Sequence, residues 1–344
     1  MSDDSDKIKI SVIVPAYNAA TSLHSCLESL VHQSVPREKY EIIVVDDGST
    51  DTTSNVAKRF DVNYVFQPNQ GPATARNNGA RIALGEFILF TDSDCLPEHS
   101  WIEEMVRPFV DPQVVAVKGA YRTRQKELAA RFAQAEFEDR YDLLEKSLSI
   151  DMIDTYSAAF RKNVFLQVGG FDQGFPVADN EDTELSYRLA VAGHKLVFSS
   201  KARVYHVHPN TLLKYLGLKF RRGYWRMVVY SRYPNKAIKD SYTPAVIKIQ
   251  TLLMGLSLVL ILFFWFTPAL LYLSLLSWAF IAILSIPFSL KTFQKDKAVG
   301  VIAPGVVLMR SFAFAVGSSL GITRCLVSHP LKRVEKRARQ SGGK

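Results

Sequence analysis

Glu86-Phe87-Ile88-Leu89-Phe90-Thr91-Asp92-Ser93-Asp94-Cys95 is an apolar run that ends in two carboxylates one residue apart. The run reads as a short buried strand opened by Gly85. Asp92 and Asp94 then sit at or just past a strand end, the edge where open α/β sheets bind their ligands. Two such carboxylates repel each other and resist desolvation. A hard divalent cation relieves both costs, and Mg²⁺ typically uses one or two carboxylates together with ligand phosphates. A solvated acidic turn has the same spacing, so the surroundings of the motif decide between the two readings.

Upstream, the hydrophobic period alternates in α/β fashion. Residues 8–14 and 41–45 read as strands, with a helical pattern over 21–32 between them. A helix near 52–60, a strand at 62–66 and a helix at 72–84 lead to the strand before Asp92. This rhythm predicts a doubly wound, mainly parallel sheet. Pro15-Ala16-Tyr17-Asn18 follows the first strand and Asp46-Asp47-Gly48-Ser49-Thr50-Asp51 the second. Both turns lie at C-terminal strand ends and can face one crevice. The proline and tyrosine can wall a flat heterocycle, and an Asp carboxylate can accept from a base N–H. Gly48-Ser49-Thr50 is also a serviceable turn and helix cap without any ligand. The helix opened by Gly71-Pro72 carries Arg76, which can favour phosphate or support the nearby acids. No glycine-rich fingerprint follows the first strand, which argues against a nicotinamide dehydrogenase.

Two further clusters stand out. In Asn180-Glu181-Asp182-Thr183-Glu184-Leu185, the four-residue spacing of Leu185 and Leu189 predicts a helix. Its acidic N-terminus would point into a cleft, where the helix dipole favours it, although a solvated first turn reads the same. Tyr205-His206-Val207-His208-Pro209 offers two histidines, either of which suits a metal shell or a purely structural place. Residues 125–147, rich in charge and aromatics, read as an amphipathic helix.

The second half of the chain is written for another solvent. Residues 249–290 contain no Asp, Glu, Lys or Arg. As a helix that length is about 60 Å, two crossings of a roughly 30 Å hydrocarbon layer. Thr267-Pro268 supplies the break, giving spans near 249–266 and 268–288. The stretch 298–323 is apolar too, but Arg310 sits in its middle and four glycines dilute it. Lysines after the second span and the basic run 324–344 on one side would require an even number of crossings. The expectation is therefore a membrane hairpin followed by an interfacial or re-entrant helix pair, with a third transmembrane helix as the alternative. Ahead of it, eleven Lys or Arg between Lys201 and Lys248 face the lone Asp240. This collar suits anionic lipid, and no nucleic-acid motif accompanies it. The net charge is +9. The acidic residues 2–6 do not resemble a signal peptide. Cys26, Cys95 and Cys325 match no disulfide or zinc framework, as in a reducing compartment.

Together these motifs resemble family 2 glycosyltransferases with the GT-A fold, in a membrane-anchored bacterial type. The likeness runs over roughly residues 8–230. It rests on Ser11-Val12-Ile13-Val14-Pro15-Ala16-Tyr17-Asn18, the Asp46–Asp51 turn, Ala75-Arg76-Asn77, Asp92-Ser93-Asp94, Gly169-Gly170-Phe171-Asp172 and Glu181-Asp182. The resemblance implies that Pro15, Tyr17 and Asp47 contact a nucleotide base, with Asp46 close by. It implies that Asp92 and Asp94 hold ribose and metal, Asp94 being the direct ligand of Mn²⁺ or Mg²⁺ with His206 or His208. Asp182 maps to the catalytic base. Ala19 stands where many relatives carry glutamate, and Arg221-Arg222-Gly223-Tyr224-Trp225 replaces the Gln-x-x-Arg-Trp of processive members, which implies single sugar transfer. The domains expected are a cytoplasmic GT-A domain over 1–230, a basic juxtamembrane linker over 231–248, the hairpin over 249–290, the segment 298–323 and a basic cytoplasmic tail over 324–344. The implied activity is inverting transfer from a nucleotide sugar, UDP-linked by family habit, to a hydroxyl of a lipid-linked or other glycan acceptor at the membrane. The rivals are a polyprenyl-phosphate glycosyl synthase, which uses the lipid phosphate as nucleophile, and a non-catalytic nucleotide-sugar-binding scaffold.

Overall fold

The computed structural model describes residues 8–175 and 179–327. The strands are β1 (Ile10–Ala16), β2 (Tyr40–Asp47), β3 (Asn63–Gln67), β4 (Phe87–Phe90), β5 (Leu96–Pro97), β6 (Val114–Arg122), β7 (Ala158–Arg161) and β8 (Lys195–Tyr205). The helices are α1 (Leu23–Val31), α2 (Thr53–Ala57), α3 (Pro72–Ile82), α4 (Trp101–Val106), α5 (Leu128–Leu144), α6 (Lys162–Gln167) and α7 (Glu181–Val191). They continue as α8 (Leu212–Arg232), α9 (Pro234–Ile238), α10 (Ala245–Leu262), α11 (Ala269–Lys295) and α12 (Lys297–Val327).

One eight-stranded sheet runs in the order β3-β2-β1-β4-β7-β6-β8-β5. The half expected from the sequence is parallel throughout, β2 pairing with β3 and β1 with both β2 and β4. Beyond β4 the sheet is mixed: β7 is antiparallel to β4 and β6, while β6 and β8 are parallel. Every residue of β1 is buried, as a central strand covered on both faces must be. Its register pairs Ala16 with Asp46 and Ile13 with Phe90, so the loops after β1, β2 and β4 leave the sheet at one edge. Gly79 lets α3 lie on that sheet, because a Cβ there would come within 2.5 Å of Ile13 Cγ2.

Among the described residues three helices are long and apolar enough to cross a membrane: α10, α11 and α12. The chain breaks between Leu262 and Ala269, at the expected Thr267-Pro268 turn, and α11 runs on past Pro287 to Lys295. The third stretch differs from the favoured expectation. It is a single helix of 31 residues rather than a pair. The reason lies in its glycines, which are contact points instead of breaks. A Cβ on Gly317 would sit 2.1 Å from Phe220 O and one on Gly321 2.4 Å from Tyr224 O, so α12 packs against the backbone of α8.

Helix α5 occupies the expected amphipathic segment, and its acids meet the lysines that follow the second apolar helix. Lys291 pairs with Asp139 and Asp142, Lys295 with Glu138, and Arg131 with Asp296. Five of the eleven cations of the basic collar are likewise paired within the protein. Lys219, Arg221, Arg232, Lys236 and Lys248 pair with Glu136, Asp179, Asp172, Asp151 and Asp240. The basic juxtamembrane segment over 231–248 is docked on the domain, with Ser241 bonded to Asp151 and Tyr242 buried. Of the expected basic tail, residues 328–344 lie outside the described residues.

Candidate active site

The strand ends build one rim. Tyr17 follows β1 and is 55 % exposed, whereas Pro15, the second-last residue of β1, is buried. The next residue, Asn18, takes φ +48°, and its side chain accepts from Thr50 N at 2.9 Å while its own N–H donates to Ser49 Oγ. The loops after β1 and β2 are thereby clamped together. Asp46 and Asp47 are both buried. Asp46 accepts from Ser49 N and the Tyr64 hydroxyl. Asp47 accepts from Gln67 Nε2, Gln70 N and Gly71 N, which ties β2 to the start of α3. A carboxylate has about four lone-pair sites, so Asp47 keeps room for one more donor after bracing the loop.

Arg76 is the joint of the site. On α3 and 2 % exposed, it places Nη2 2.6 Å from Asp92 Oδ1 and Nη1 3.0 Å from Glu181 Oε1. Asn77 beside it exchanges two hydrogen bonds with Phe171, fixing the turn at Gly169–Phe171 that leads toward α7. The two acidic clusters read separately from sequence are therefore linked through one guanidinium. Glu181 is 2 % exposed; burial first, and then the charge of Asp182, lift its carboxyl to about 8 against the pull of Arg76. Asp182 is half-buried in the first turn of α7, its Oδ1 accepting from Thr183 N. Glu181 was legible only as half of an acidic pair; its place beside Arg76 gave no local signal.

On the other side of Asp92, Asp94 Oδ1 lies 3.7 Å from His206 Nδ1, and Cys95 Sγ lies 3.7 Å from the same nitrogen. These three groups are close enough to share one metal ion. Burial raises the Cys95 thiol well above its usual range, and Asp92 and Asp94 add to that. Of the three, Asp94 offers a carboxylate oxygen and His206 a ring nitrogen, and the carboxylate is the ligand that suits Mn²⁺ or Mg²⁺. Burial and Asp92 also raise Asp94, while His206 opposes them. The two histidines part company. The His206 ring stacks on Tyr121 at 4.8 Å with its Nδ1 toward Asp94. His208 is buried against Phe137, its Nε2 paired with Gln134 Oε1 at 3.0 Å. Burial and the nearby His206 depress it to about 3, so it is a neutral packing residue turned from the acids.

Residues 11–169 match the family model described as glycosyl transferase family 2. The chain is 28 % identical over 196 residues to "Glycosyltransferase AglE" of Haloferax volcanii, covering 55 % of this chain and 64 % of that protein. It is 29 % identical over 227 residues to "Validoxylamine A glucosyltransferase" of Streptomyces hygroscopicus, covering 56 % and 54 %. The chain thus spans between about half and just under two thirds of these relatives. Its fold is shared with the mannosyltransferase PcManGT from Pyrobaculum calidifontis, solved with GDP-Man and Mn²⁺, at a TM-score of 0.60, 22 % identity and coverage of 94 % and 89 %. The ends of the parallel strands that carry the rim of carboxylates thus lie within the stretch, residues 11–169, that matches the glycosyl transferase family 2 model, and a helical region fit for a membrane follows it.

Proposed function

We propose that the protein is an inverting, metal-dependent glycosyltransferase that moves a sugar from a nucleotide donor to a hydroxyl of a lipid-linked saccharide at the membrane. The observation that supports it most directly is the chain Asp92–Arg76–Glu181, at 2.6 and 3.0 Å, which ties the donor-side loop to the helix bearing Asp182. Pro15 and Tyr17 flank the base, and Asp47 offers it the remaining acceptor site. Asp94 and His206 would hold a divalent cation, whose chemistry is to neutralise charge on the departing diphosphate. Asp182, in the first turn of α7, accepts the proton of the acceptor hydroxyl. Attack from the face opposite the diphosphate inverts the anomeric carbon. Family habit favours UDP as the donor nucleotide, while the solved neighbour in fold carries GDP-Man.

In this reading α10 and α11 form the membrane hairpin and α12 lies along the interface beneath the catalytic domain, which faces the cytoplasm where nucleotide sugars are made. Contacts along nearly the whole of α12 support this: Asp296, just before it, with Arg131, then Arg310 with Glu136, Gly317 with Phe220 and Gly321 with Tyr224. The test is Asp182→Asn. It should bind donor normally and lose transfer by roughly 10²–10⁴-fold, the scale of general-base catalysis. Transfer at the wild-type rate removes Asp182 from the mechanism and points to a phosphate nucleophile, which needs no base.

A further inference from the structure

Where α5 meets the apolar helices, the charges do not balance. Glu136 is buried and accepts from Lys219 Nζ at 2.6 Å and from Arg310 Nη1 at 2.5 Å. Arg310 also donates Nη2 to Gln250 Oε1 at 2.6 Å, so this arginine in an apolar helix is held by α5 and α10 and does not face lipid. A third cation, Arg140, lies in electrostatic range of the same carboxylate. It is 6 % exposed, and among the described residues no carboxylate comes within ion-pair distance of it. Its guanidinium rests over the rings of Phe137 and Tyr242, at 5.4 and 5.0 Å, and its Nη1 has no hydrogen-bond partner. The Nε of Arg310, 4 % exposed, is equally without one.

Both arginines line one narrow cleft together with Gln250, Ser285, Phe288 and Val307. Its interior is only about 30 Å³, space for roughly two oxygen-sized atoms, and the rest is open mouth. Glu136 and Asp139 also border it, but the first is paired with Lys219 and Arg310 and the second with Lys291. Buried unpartnered N–H groups on cations are costly, and a ligand with acceptor oxygens removes the cost. Arginine matches the oxygens of a phosphate in particular. The cleft also opens among membrane helices: Ile249, Ile283 and Ile286, beside its lining, turn their side chains outward. A phosphate carrying hydrocarbon chains therefore fits better than a free one.

We propose that Arg140 and Arg310 form a binding site for the phosphate of a membrane lipid, at the seam between the catalytic domain and the apolar helices. The site is separate from the donor rim and rests on the membrane reading, not on transfer chemistry. The test uses the full chain in nanodiscs of phosphatidylcholine, with phosphatidic acid titrated in or inorganic phosphate added. Thermal unfolding and native mass spectrometry of retained lipid are the readouts. Phosphatidic acid should raise Tm and remain bound, and inorganic phosphate should do neither. Arg140→Gln should weaken the lipid response at least roughly tenfold, the scale of one charged hydrogen bond, while stabilisation by nucleotide sugar persists. Arg140→Lys, which keeps the charge without the fork, should also weaken the response, by less, and carries the test alone if the glutamine variant does not fold. An undiminished lipid response in both variants, or no response in the wild type, overturns the proposal. Equal shifts from lipid and inorganic phosphate reassign the site to a free anion and overturn the lipid assignment. Loss of nucleotide-sugar stabilisation in the wild type would instead count against the transferase reading alone.

Discussion

Replacing Arg76 by methionine should destabilise the protein by an amount that depends on pH. Methionine keeps most of the aliphatic stem but removes both ion pairs, to Asp92 at 2.6 Å and to Glu181 at 3.0 Å. Asp92 is partly exposed and can be rehydrated, so its loss is that of a charged hydrogen bond, about 1.5–3 kcal/mol. Glu181 is buried and cannot be rehydrated. Its carboxyl, at about 8 in the folded wild type, sits far above the unfolded value of 4.5, raised by burial and Asp182 and held down by Arg76. A raised folded value means that the folded state holds the proton longer. The associated stability is therefore full below pH 4.5 and is lost as pH rises to the folded value. In the variant that value climbs further, so both proteins lose stability alike up to pH 8. Above it the variant alone keeps losing, by about 1.4 kcal/mol per pH unit. Urea unfolding at pH 6 and pH 9 should show a penalty near 2 kcal/mol rising toward the roughly 3–5 kcal/mol of a broken buried pair. Arg76→Met/Glu181→Gln should abolish the added loss at pH 9. A penalty that is absent, or equal at both pH values, refutes the reasoning.

Two further outcomes test the site and its setting. His206→Gln should weaken Mn²⁺ binding, measured by calorimetry, roughly tenfold or more. His208→Gln should leave that affinity unchanged and lower Tm, because it disturbs packing against Phe137 and Gln134; the reverse pattern would exchange their roles. A tag fused after Lys344 and probed in sealed vesicles should lie on the side of the catalytic domain. Exposure on the far side would make α12 a third crossing.

Much of this molecule was legible along the chain because its signals are local. The continuous apolar runs of β1, β2 and β4 announce buried parallel strands, and the carboxylates that end them mark the rim by a turn or two of sequence. The uncharged 249–290 stretch announces helices for an apolar solvent in the same way. The two acidic clusters were each visible, but their union was not. Arg76 and Glu181 are 105 residues apart, and no period in sequence records which arginine a distant helix will bring to a carboxylate.

The same limit explains the other differences. His206 and His208 flank one valine and are indistinguishable by type. Tertiary packing turns one toward Asp94 and buries the other against an aromatic ring. The glycines of α12 dilute its hydrophobicity on paper, yet in space they admit the α8 backbone. Arg310 looks prohibitive in an apolar segment until α5 supplies Glu136 from 174 residues away. Sequence by itself determined the strands and helices up to β4 and the apolar spans, since periodicity and composition act over neighbouring residues, but it did not announce β6 and β7, which complete the mixed half of the sheet. Only the tertiary structure decided which charges meet, because an ion pair is set by distance in space and each partner's own stretch of chain is silent about the other.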